Sequence, residues 1–344
     1  MVSFYQQLVI ALRQGAVVLA MVIEVKGSVP REVGAMMLLC SDGSTIGTIG
    51  GGAGEARVIE QARQVLATGN KQPIDIDLSG NLNQVKQGIC GGMMQVWLER
   101  WQGERAIALT NDIITFLQTG QSGSLVIPFA PDRSPHLAAP RSLHCLSSLT
   151  PASLEEPMTA TLDSPAFILP LHPSPTLLVV GAGHVAIPLA QMAHLLDFRV
   201  VVQDDRPEFA HAQRFPDATV LAQPIDQAID GLHAAQLYVA LVTRGYQHDL
   251  AALRVLLPRS PVYIGMMGSQ KRVKTVVQAL QQECIPGLTP ALMTAQLEHL
   301  YAPIGLDLGA LTPAEIAVSI CAELISVYRG GSGQALSTRC ASAT

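Results

Sequence analysis

The sequence contains few charged residues, few aromatic residues and no long uninterrupted apolar run. Of its 344 residues, 14% are charged and 4% aromatic, whereas 49% are hydrophobic. The net charge is −5 with no basic cluster, which argues against a nucleic-acid-binding surface. Gly, Pro or charged residues interrupt every apolar stretch before the roughly 20 residues that a transmembrane helix needs. These features favour a compact globular protein without a membrane-spanning or nucleic-acid-binding role.

The cysteines lack the spacing of a metal site or of a disulfide framework. No C-x-x-C pair occurs among the six cysteines, and scattered single thiols are typical of a reducing compartment. No basic segment precedes an apolar one at the N-terminus, so we expect no signal peptide and a cytoplasmic location. We predict no metal site from these spacings. The cysteines are Cys40, Cys90, Cys145, Cys284, Cys321 and Cys340.

The secondary-structure patterns and the local composition of the chain predict an α/β fold in two domains. Residues 1–130 contain helix, strand and hairpin patterns and are predicted to form an N-terminal α/β domain. Residues 131–175 are rich in proline, so an irregular linker is expected. Strand and helix patterns alternate over 176–330, which predicts a Rossmann-like parallel sheet, and the Gly- and Ser-rich residues 331–344 suggest a flexible tail. The predicted elements of the first domain are a helix over 3–14, a strand over 16–25, a hairpin over 36–49, a helix over 53–67 and a strand over 95–99.

A glycine-rich turn in the second domain is the strongest local signal. Gly181 and Gly183 follow a predicted strand, and Ala186 stands where a small residue allows the next helix to pack on that strand. Free amides at the start of this helix would bind a phosphate. Asp204 and Asp205 end the next strand, near the position of a ribose-binding acid. The alternative is a tight turn that binds no ligand. The later predicted elements are strands over 198–203, 238–243 and 261–264 and helices over 184–196, 249–257 and 269–282, with a final helix capped by Thr312.

Three further groups could bind an anion or carry chemistry. Arg244 and His248, and then Gly268 and Ser269, follow later strands of the same sheet, where ligands of open α/β sheets bind. For Gly268 and Ser269, ordinary helix capping is the alternative. In the first domain, Gly50, Gly51 and Gly52 lead into a helix that contains Glu55; this loop is not a P-loop, and a tight strand-to-helix crossing explains it equally well.

Cys90 lies between glycines, in Gly88-Ile-Cys90-Gly91-Gly92. Such neighbours leave a sulfur uncovered, so Cys90 is a candidate nucleophile or soft-metal ligand. A small buried residue is the alternative.

These motifs, in this order, resemble the XdhC/CoxI family of maturation proteins for molybdenum hydroxylases. Both domains share the resemblance, and the linker and tail do not. In the first domain it rests on Gly27-Ser-Val-Pro-Arg31, Asp42-Gly43, Gly47-Thr-Ile-Gly-Gly-Gly52, Glu55 and Cys90-Gly-Gly92. In the second it rests on Gly181-Ala-Gly-His-Val185, Asp204-Asp-Arg206-Pro-Glu-Phe209, Arg214-Phe-Pro-Asp217, Thr243-Arg-Gly245, Gly268-Ser269, Ala302-Pro-Ile-Gly-Leu-Asp307 and Thr312-Pro-Ala-Glu-Ile-Ala-Val-Ser-Ile320.

The resemblance implies a chaperone that binds the molybdenum cofactor, as molybdopterin or its dinucleotide form. Such a chaperone protects the cofactor during sulfuration by a cysteine desulfurase and delivers it to an apo molybdenum hydroxylase. The resemblance also raises the expectation that Cys90 is functional, and it adds His184 to the cofactor-binding candidates. Two positions depart from the family pattern, because Tyr246 and Tyr301 stand where histidine is expected. A tyrosine, with a pKa near 10, does not simply replace a histidine.

The sequence also leaves two other functions open. The first is an NAD(P)-dependent oxidoreductase, for which Asp204 would favour NAD; against it, no catalytic acid, base or hydride-acceptor site can be named. The second is a regulatory or scaffold protein with a vestigial pocket. Apolar helices such as 314–325 could support a homodimer.

Overall fold

A computed structural model describes residues 1–78, 91–138, 158–161, 165–232, 234 and 236–337. The chain divides into two compact units, Met1–Pro173 and Ser174–Thr344. The division lies within two residues of the predicted start of the second domain.

The first unit is built on a five-stranded antiparallel sheet with the order β3-β2-β1-β5-β4. Its central strand alternates its side chains between two apolar layers, which explains the unbroken apolar run in the sequence. Val18 and Val22 pack towards helix α2, whereas Leu19 and Met21 pack towards helices α1 and α3. The elements are α1 (Val2–Gln14), β1 (Val17–Lys26), β2 (Met36–Leu39), β3 (Thr45–Gly47), α2 (Gly52–Thr68), β4 (Gln72–Asp77), β5 (Met93–Trp101) and α3 (Gly103–Gln118).

A second antiparallel sheet in this unit corrects the predicted linker. Its order is β7-β6-β9-β8, with β6 (Gly123–Pro128), β7 (His136–Ala138), β8 (Met158–Thr161) and β9 (Pro165–Leu171). The expectation of irregular structure over 131–175 is therefore wrong where β7, β8 and β9 lie. Among the described residues β8 pairs with 165–168, and the described neighbour of Pro170 is Ser124 of β6, a pairing in which β9 can carry a proline. Leu169 and Leu171 are buried beside α1 and α3.

The second unit is a parallel five-stranded sheet with the order β12-β11-β10-β13-β14, as the alternating pattern predicts. The chain proceeds from β10 outwards to β12, then crosses back to β13 on the other side of β10. Neighbouring strands on either side of such a reversal leave a crevice at their carboxyl ends, and ligands of open α/β sheets bind there. The strands are β10 (Thr176–Val180), β11 (Arg199–Gln203), β12 (Thr219–Leu221), β13 (Leu237–Leu241) and β14 (Tyr263–Met266).

Helices cover both faces of the parallel sheet. On one face α4 and α9 bury side chains such as Val179 and Val202, and on the other α5 to α8 bury Val180 and Val201. The predicted Thr312 cap is confirmed, because Thr312 and Glu315 form a reciprocal capping box. The helices are α4 (Ala186–Leu195), α5 (Ile225–Asp230), α6 (Tyr246–Leu256), α7 (Gln270–Gln281), α8 (Pro290–Glu298) and α9 (Pro313–Arg329).

Candidate functional site

The glycine turn lies at the switch point of the parallel sheet. Gly181 follows β10 with φ +102°, and a Cβ there would meet the carbonyl oxygen of Val242 at 2.8 Å and the Cα of Thr243 at 3.1 Å. Its amide donates to the carbonyl of Gln203 at 2.7 Å. Gly181 is therefore required by the close approach of the chain segments that follow β10 and β13.

Gly183 differs from Gly181, because the protein itself does not require a glycine there. Its φ is not positive, and a Cβ built on it meets no heavy atom within 4 Å. The amides of Gly183, His184 and Val185, which directly precede α4, donate no hydrogen bond to a described residue. The His184 side chain is exposed. The space and the amides together suit the approach of a phosphate.

Asp204 clamps the glycine turn. Its two carboxylate oxygens accept four hydrogen bonds, at 2.8 Å from the amide of Ala182 and at 2.8–3.1 Å from the backbone and guanidinium of Arg206. Burial alone would raise the pKa of Asp204, but the hydrogen bonds from Arg206 and Ala182 hold it well below its usual range. The Arg206 guanidinium also lies 4.0 Å from the centre of the Phe209 ring. Since a carboxylate has about four acceptor sites, this group has none left for a ribose.

A cavity of about 380 Å³ lies at the carboxyl ends of β10, β11 and β13. It brings together the predicted residues Gly181, Asp204, Asp205, Arg244 and His248. The sequence does not indicate the other wall of this cavity, which is formed by the start of α5 and by α6. The residues of this wall could be predicted only with knowledge of the sheet face on which α5 and α6 pack, and the sequence does not reveal that face. The wall includes Pro224, Ile225, Asp226, Ala251, Arg254 and Val255.

Asp205, Arg244 and His248 form a hydrogen-bonded chain at the rim of this cavity. Arg244 donates to Nε2 of His248 at 2.6 Å and to Oδ2 of Asp205 at 3.3 Å. The side chains of Arg244 and Asp205 are 42% and 44% exposed. Both groups therefore keep polar atoms that a ligand can reach.

A buried ion pair lies behind the cavity. Asp249 has no exposed surface and is bound by Arg272, with an Nη2–Oδ2 distance of 2.6 Å. The Thr243 hydroxyl joins both partners, at 2.6 Å from Asp249 and 2.7 Å from Arg272. This cluster ties the end of β13 to α6 and α7.

Gly268 and Ser269 occupy the start of α7 and do not line the cavity. The Ser269 hydroxyl accepts from the amide of Arg272 at 3.3 Å and caps the helix. Their part in cofactor binding stays a prediction.

In the first unit, the loop Gly50–Gly52 is already occupied by a carboxylate of the protein. Oε2 of Glu55 accepts from the Thr48 hydroxyl at 2.5 Å, from the amide of Ile49 at 3.0 Å and from that of Gly51 at 3.1 Å. Burial would raise the pKa of Glu55, but these hydrogen bonds lower it below its usual value. The amides of this loop thus bind the carboxylate of Glu55, and the part of the loop in cofactor binding stays a prediction.

The segment 27–31 lies between this loop and Gly92 and contacts both. A Cβ at Gly50 would collide with the Pro30 ring, and one at Gly27 would lie 3.2 Å from the Cα of Gly92. The motifs around Pro30, Gly50 and Gly92, far apart in sequence, thus converge in the first unit. Cys90, the predicted catalytic residue, lies outside the described residues.

The two tyrosines that depart from the family pattern have different positions. Tyr246 is the first residue of α6 and is 46% exposed. Tyr301 extends the sheet beside β14, where its amide donates to Ile264 at 3.0 Å and its ring lies 4.7 Å from that of Tyr263. The Tyr263 hydroxyl in turn donates to the buried Glu323, and burial together with this bond raises the pKa of Tyr263. Neither tyrosine lines the cavity.

The described part of the chain offers no group of three or more His, Cys, Asp and Glu that could hold a metal ion. Of its cysteines, Cys40 and Cys321 are buried and Cys284 is exposed; burial raises the pKa of Cys321 to about 12. None of its helices has the length and apolar character needed to cross a membrane.

Comparison with known proteins identifies both parts of the chain. Residues 177–324 match the XdhC Rossmann domain, and residues 11–77 match the XdhC and CoxI family. Together the two matches cover more than half of the sequence.

Two relatives and one solved structure match nearly all of this chain. A protein of Bacillus subtilis (strain 168) described as a probable xanthine dehydrogenase component is 29% identical, with 92% of this chain and 94% of the relative covered. The uncharacterized protein YqeB of Escherichia coli (strain K12) is 25% identical, and 92% of this chain spans 44% of it. The crystal structure of a xanthine dehydrogenase from Bacillus halodurans has a TM-score of 0.77 and 25% identity, covering 95% of this chain and 96% of the other. This chain belongs to the XdhC/CoxI family, and that membership supports a role in the maturation of xanthine dehydrogenase-type enzymes.

Proposed function

We propose that the protein binds the molybdenum cofactor and delivers it to an apo molybdenum hydroxylase after sulfuration by a cysteine desulfurase. The observation that carries the proposal is Gly183, where a Cβ would meet open space and where three successive amides make no hydrogen bond to a described residue. A glycine that the fold does not need is explained when a ligand approaches the backbone closely. Family membership supplies the client class.

The described residues fit the phosphate-bearing end of such a cofactor. The amides of Gly183, His184 and Val185 lie directly before α4, where the helix dipole also favours negative charge. The neighbouring Asp204 would repel a phosphate if its charge were uncompensated. Because Arg206 pairs with it in a bidentate contact, that repulsion is offset.

The metal-bearing end has no match among the described residues, since no thiol or imidazole cluster is present there. The molybdenum and its dithiolene would supply the redox chemistry of the client enzyme, and this protein needs only to hold and release them. We assign the contact with that end to Cys90, on the strength of its glycine neighbours in the sequence.

In this proposal the second unit positions the cofactor through its phosphate. Gly181 and Asp204 fix the turn, the α4 amides bind the anion, and the cavity beside them excludes water from the part of the ligand that enters it. Release to the client then requires only that the client compete for the same groups. No covalent step on this protein is needed.

The test is a Gly183→Asp variant purified from cells with intact cofactor synthesis. The new carboxylate would occupy the open space and repel a phosphate, so we expect bound molybdenum and pterin to fall at least about tenfold relative to wild type. Both are measured per mole of purified protein, by elemental analysis and by pterin fluorescence after oxidation.

Gly231→Asp is the matched control, because a Cβ at Gly231 also meets nothing within 4 Å and the residue does not line the cavity. It should retain the cofactor content of wild type. Wild-type protein without molybdenum or pterin, or a Gly183→Asp variant that retains both, would contradict the proposal.

A further inference from the structure

The cavity of about 380 Å³ lies beyond the phosphate position, on the face of the sheet that α5 and α6 cover. Ligand pockets usually measure about 300–1,000 Å³, so this space suits a small ring system rather than a whole cofactor. The sheet topology sets the position of the cavity. It lies at the carboxyl end of β11, the strand that follows the glycine turn and α4, and beside the end of β13, which pairs with the opposite edge of β10. A ligand whose phosphate sits on α4 would extend its attached sugar and ring into it.

The inner wall is apolar. Val180 and Ile225 are 4% and 9% exposed, and the half-buried Ala251 and Val255 of α6 complete the surface. A flat aromatic ring gains most from such a wall, since it buries large area at small entropic cost.

Gln203 is one of three buried polar residues that line the cavity, together with Asp204 and Thr243. Gln203 is 4% exposed, and its Nε2 donates to the carbonyl of Gln223 at 2.7 Å. That bond fixes the amide, and Oε1 makes no hydrogen bond to any described residue. The oxygen is an acceptor that suits the exocyclic amine of a nucleobase.

The rim provides the groups that a sugar needs. Asp204 is saturated, so the acid available beyond β11 is Asp205, which shares a long hydrogen bond of 3.3 Å with Arg244. A carboxylate at this place accepts hydrogen bonds from ribose hydroxyls in dinucleotide-binding folds. The expected ribose-binding residue is thereby assigned to the second of the two adjacent aspartates.

From these placements we infer that the cavity is a nucleoside subsite: an amine-bearing base lies against Val180 and Val255, and Asp205 with Arg244 binds its ribose. The ligand of the second unit thus carries a nucleoside diphosphate. This deepens the proposed function by selecting the dinucleotide form of the pterin cofactor over the mononucleotide form. The same chemistry would also accept the nucleotide half of a nicotinamide dinucleotide.

The test is calorimetric titration of the full-length protein, freed of bound ligand, with ADP, GDP, CDP, UDP and NAD. At least one amine-bearing nucleoside diphosphate should bind, and UDP, which lacks the amine, should bind roughly tenfold more weakly than CDP. Ala251→Phe, which fills the cavity, and Asp205→Asn should each weaken the tightest diphosphate roughly tenfold or more.

Two controls separate these effects from misfolding. Gln247→Phe places the same ring on an exposed position of α6 outside the cavity, and Asp230→Asn alters the acid of a surface pair with Arg259. Both should bind as wild type does, and circular dichroism should show that all four variants are folded.

The outcomes distinguish this inference from the proposed function. Absence of binding by every diphosphate and by NAD, or binding that Ala251→Phe leaves unchanged, would overturn the nucleoside subsite. If such a protein is still purified with molybdenum and pterin, the proposed function stands without it. UDP binding equal to CDP binding would overturn the role of Gln203. NAD binding at least tenfold tighter than any diphosphate would support the subsite and replace the pterin cofactor with a nicotinamide one.

Discussion

At the scale of the residue, two adjacent aspartates have opposite roles. Asp204 is 5% exposed and accepts four hydrogen bonds, whereas the side chain of Asp205 is 44% exposed and shares one bond with Arg244. The difference arises from Arg206, which folds back to pair with Asp204. The sequence predicts that both acids lie at the end of β11. It does not reveal which of them pairs with Arg206, because the pairing depends on the local course of the backbone.

The clamp by Asp204 predicts a pH-dependent loss of stability in Asp204→Asn. The variant loses the charge opposite Arg206, so its free energy of unfolding at pH 7 should fall by about 2 kcal/mol. Because the pKa of Asp204 is lowered in the folded protein, its contribution is present above the unfolded value of about 3.9 and is lost as the pH falls through the folded value. Urea unfolding of both proteins from pH 7 downwards should show a difference that shrinks below about pH 4. A difference that stays constant would show that the ion pair does not cause it.

At the scale of the element, the buried pair Asp249–Arg272 determines how α6 and α7 meet the end of β13. Removal of Arg272 leaves a carboxylate with no exposed surface and no counter-ion, so Arg272→Ala should lower the free energy of unfolding by about 3–5 kcal/mol. Arg259→Ala removes a similar contact with Asp230 at the surface, where the side chains are 38% and 79% exposed, and should cost less than about 1 kcal/mol. Chemical denaturation of the two variants in parallel decides the point; equal losses would refute the role of the buried pair.

The elements also show how far the sequence alone leads. The strand, turn and helix around Gly181 were predictable because apolar run, glycine spacing and helix start agree, and the Thr312 cap follows from its own four residues. Strand β9 was missed because its prolines at 165 and 170 resemble those of a linker, and only the register with β6 and β8 reveals why they fit. Strand β12 is only three residues long and has too few positions to show alternation.

The candidate site was predictable to a similar degree. The positions of Gly181, Asp205, Arg244 and His248 follow from the rule that strand ends of a parallel sheet share one edge. The contribution of α6 does not follow, since Ala251 and Val255 look like any apolar helix residues in sequence. Likewise the loop Gly50–Gly52 shows an anion-binding composition, but only the fold reveals that Glu55 fills it.

At the scale of the whole molecule, the proposal assigns a task to each unit, and the task of the first is tested through Cys90. If its thiol contacts the soft metal end of the cofactor, Cys90→Ala should lower the molybdenum content of the purified protein on the order of tenfold, the size of effect that groups around a metal commonly have.

Cys284→Ala is the matched control, because Cys284 is an exposed cysteine of the second unit that does not line the cavity. Molybdenum is measured per mole of protein beside the affinity for the tightest nucleoside diphosphate. Loss of molybdenum with unchanged nucleotide affinity would assign metal retention to the first unit and nucleotide binding to the second. Unchanged molybdenum in Cys90→Ala would remove the thiol from the proposal and leave the phosphate contacts of the second unit to hold the cofactor.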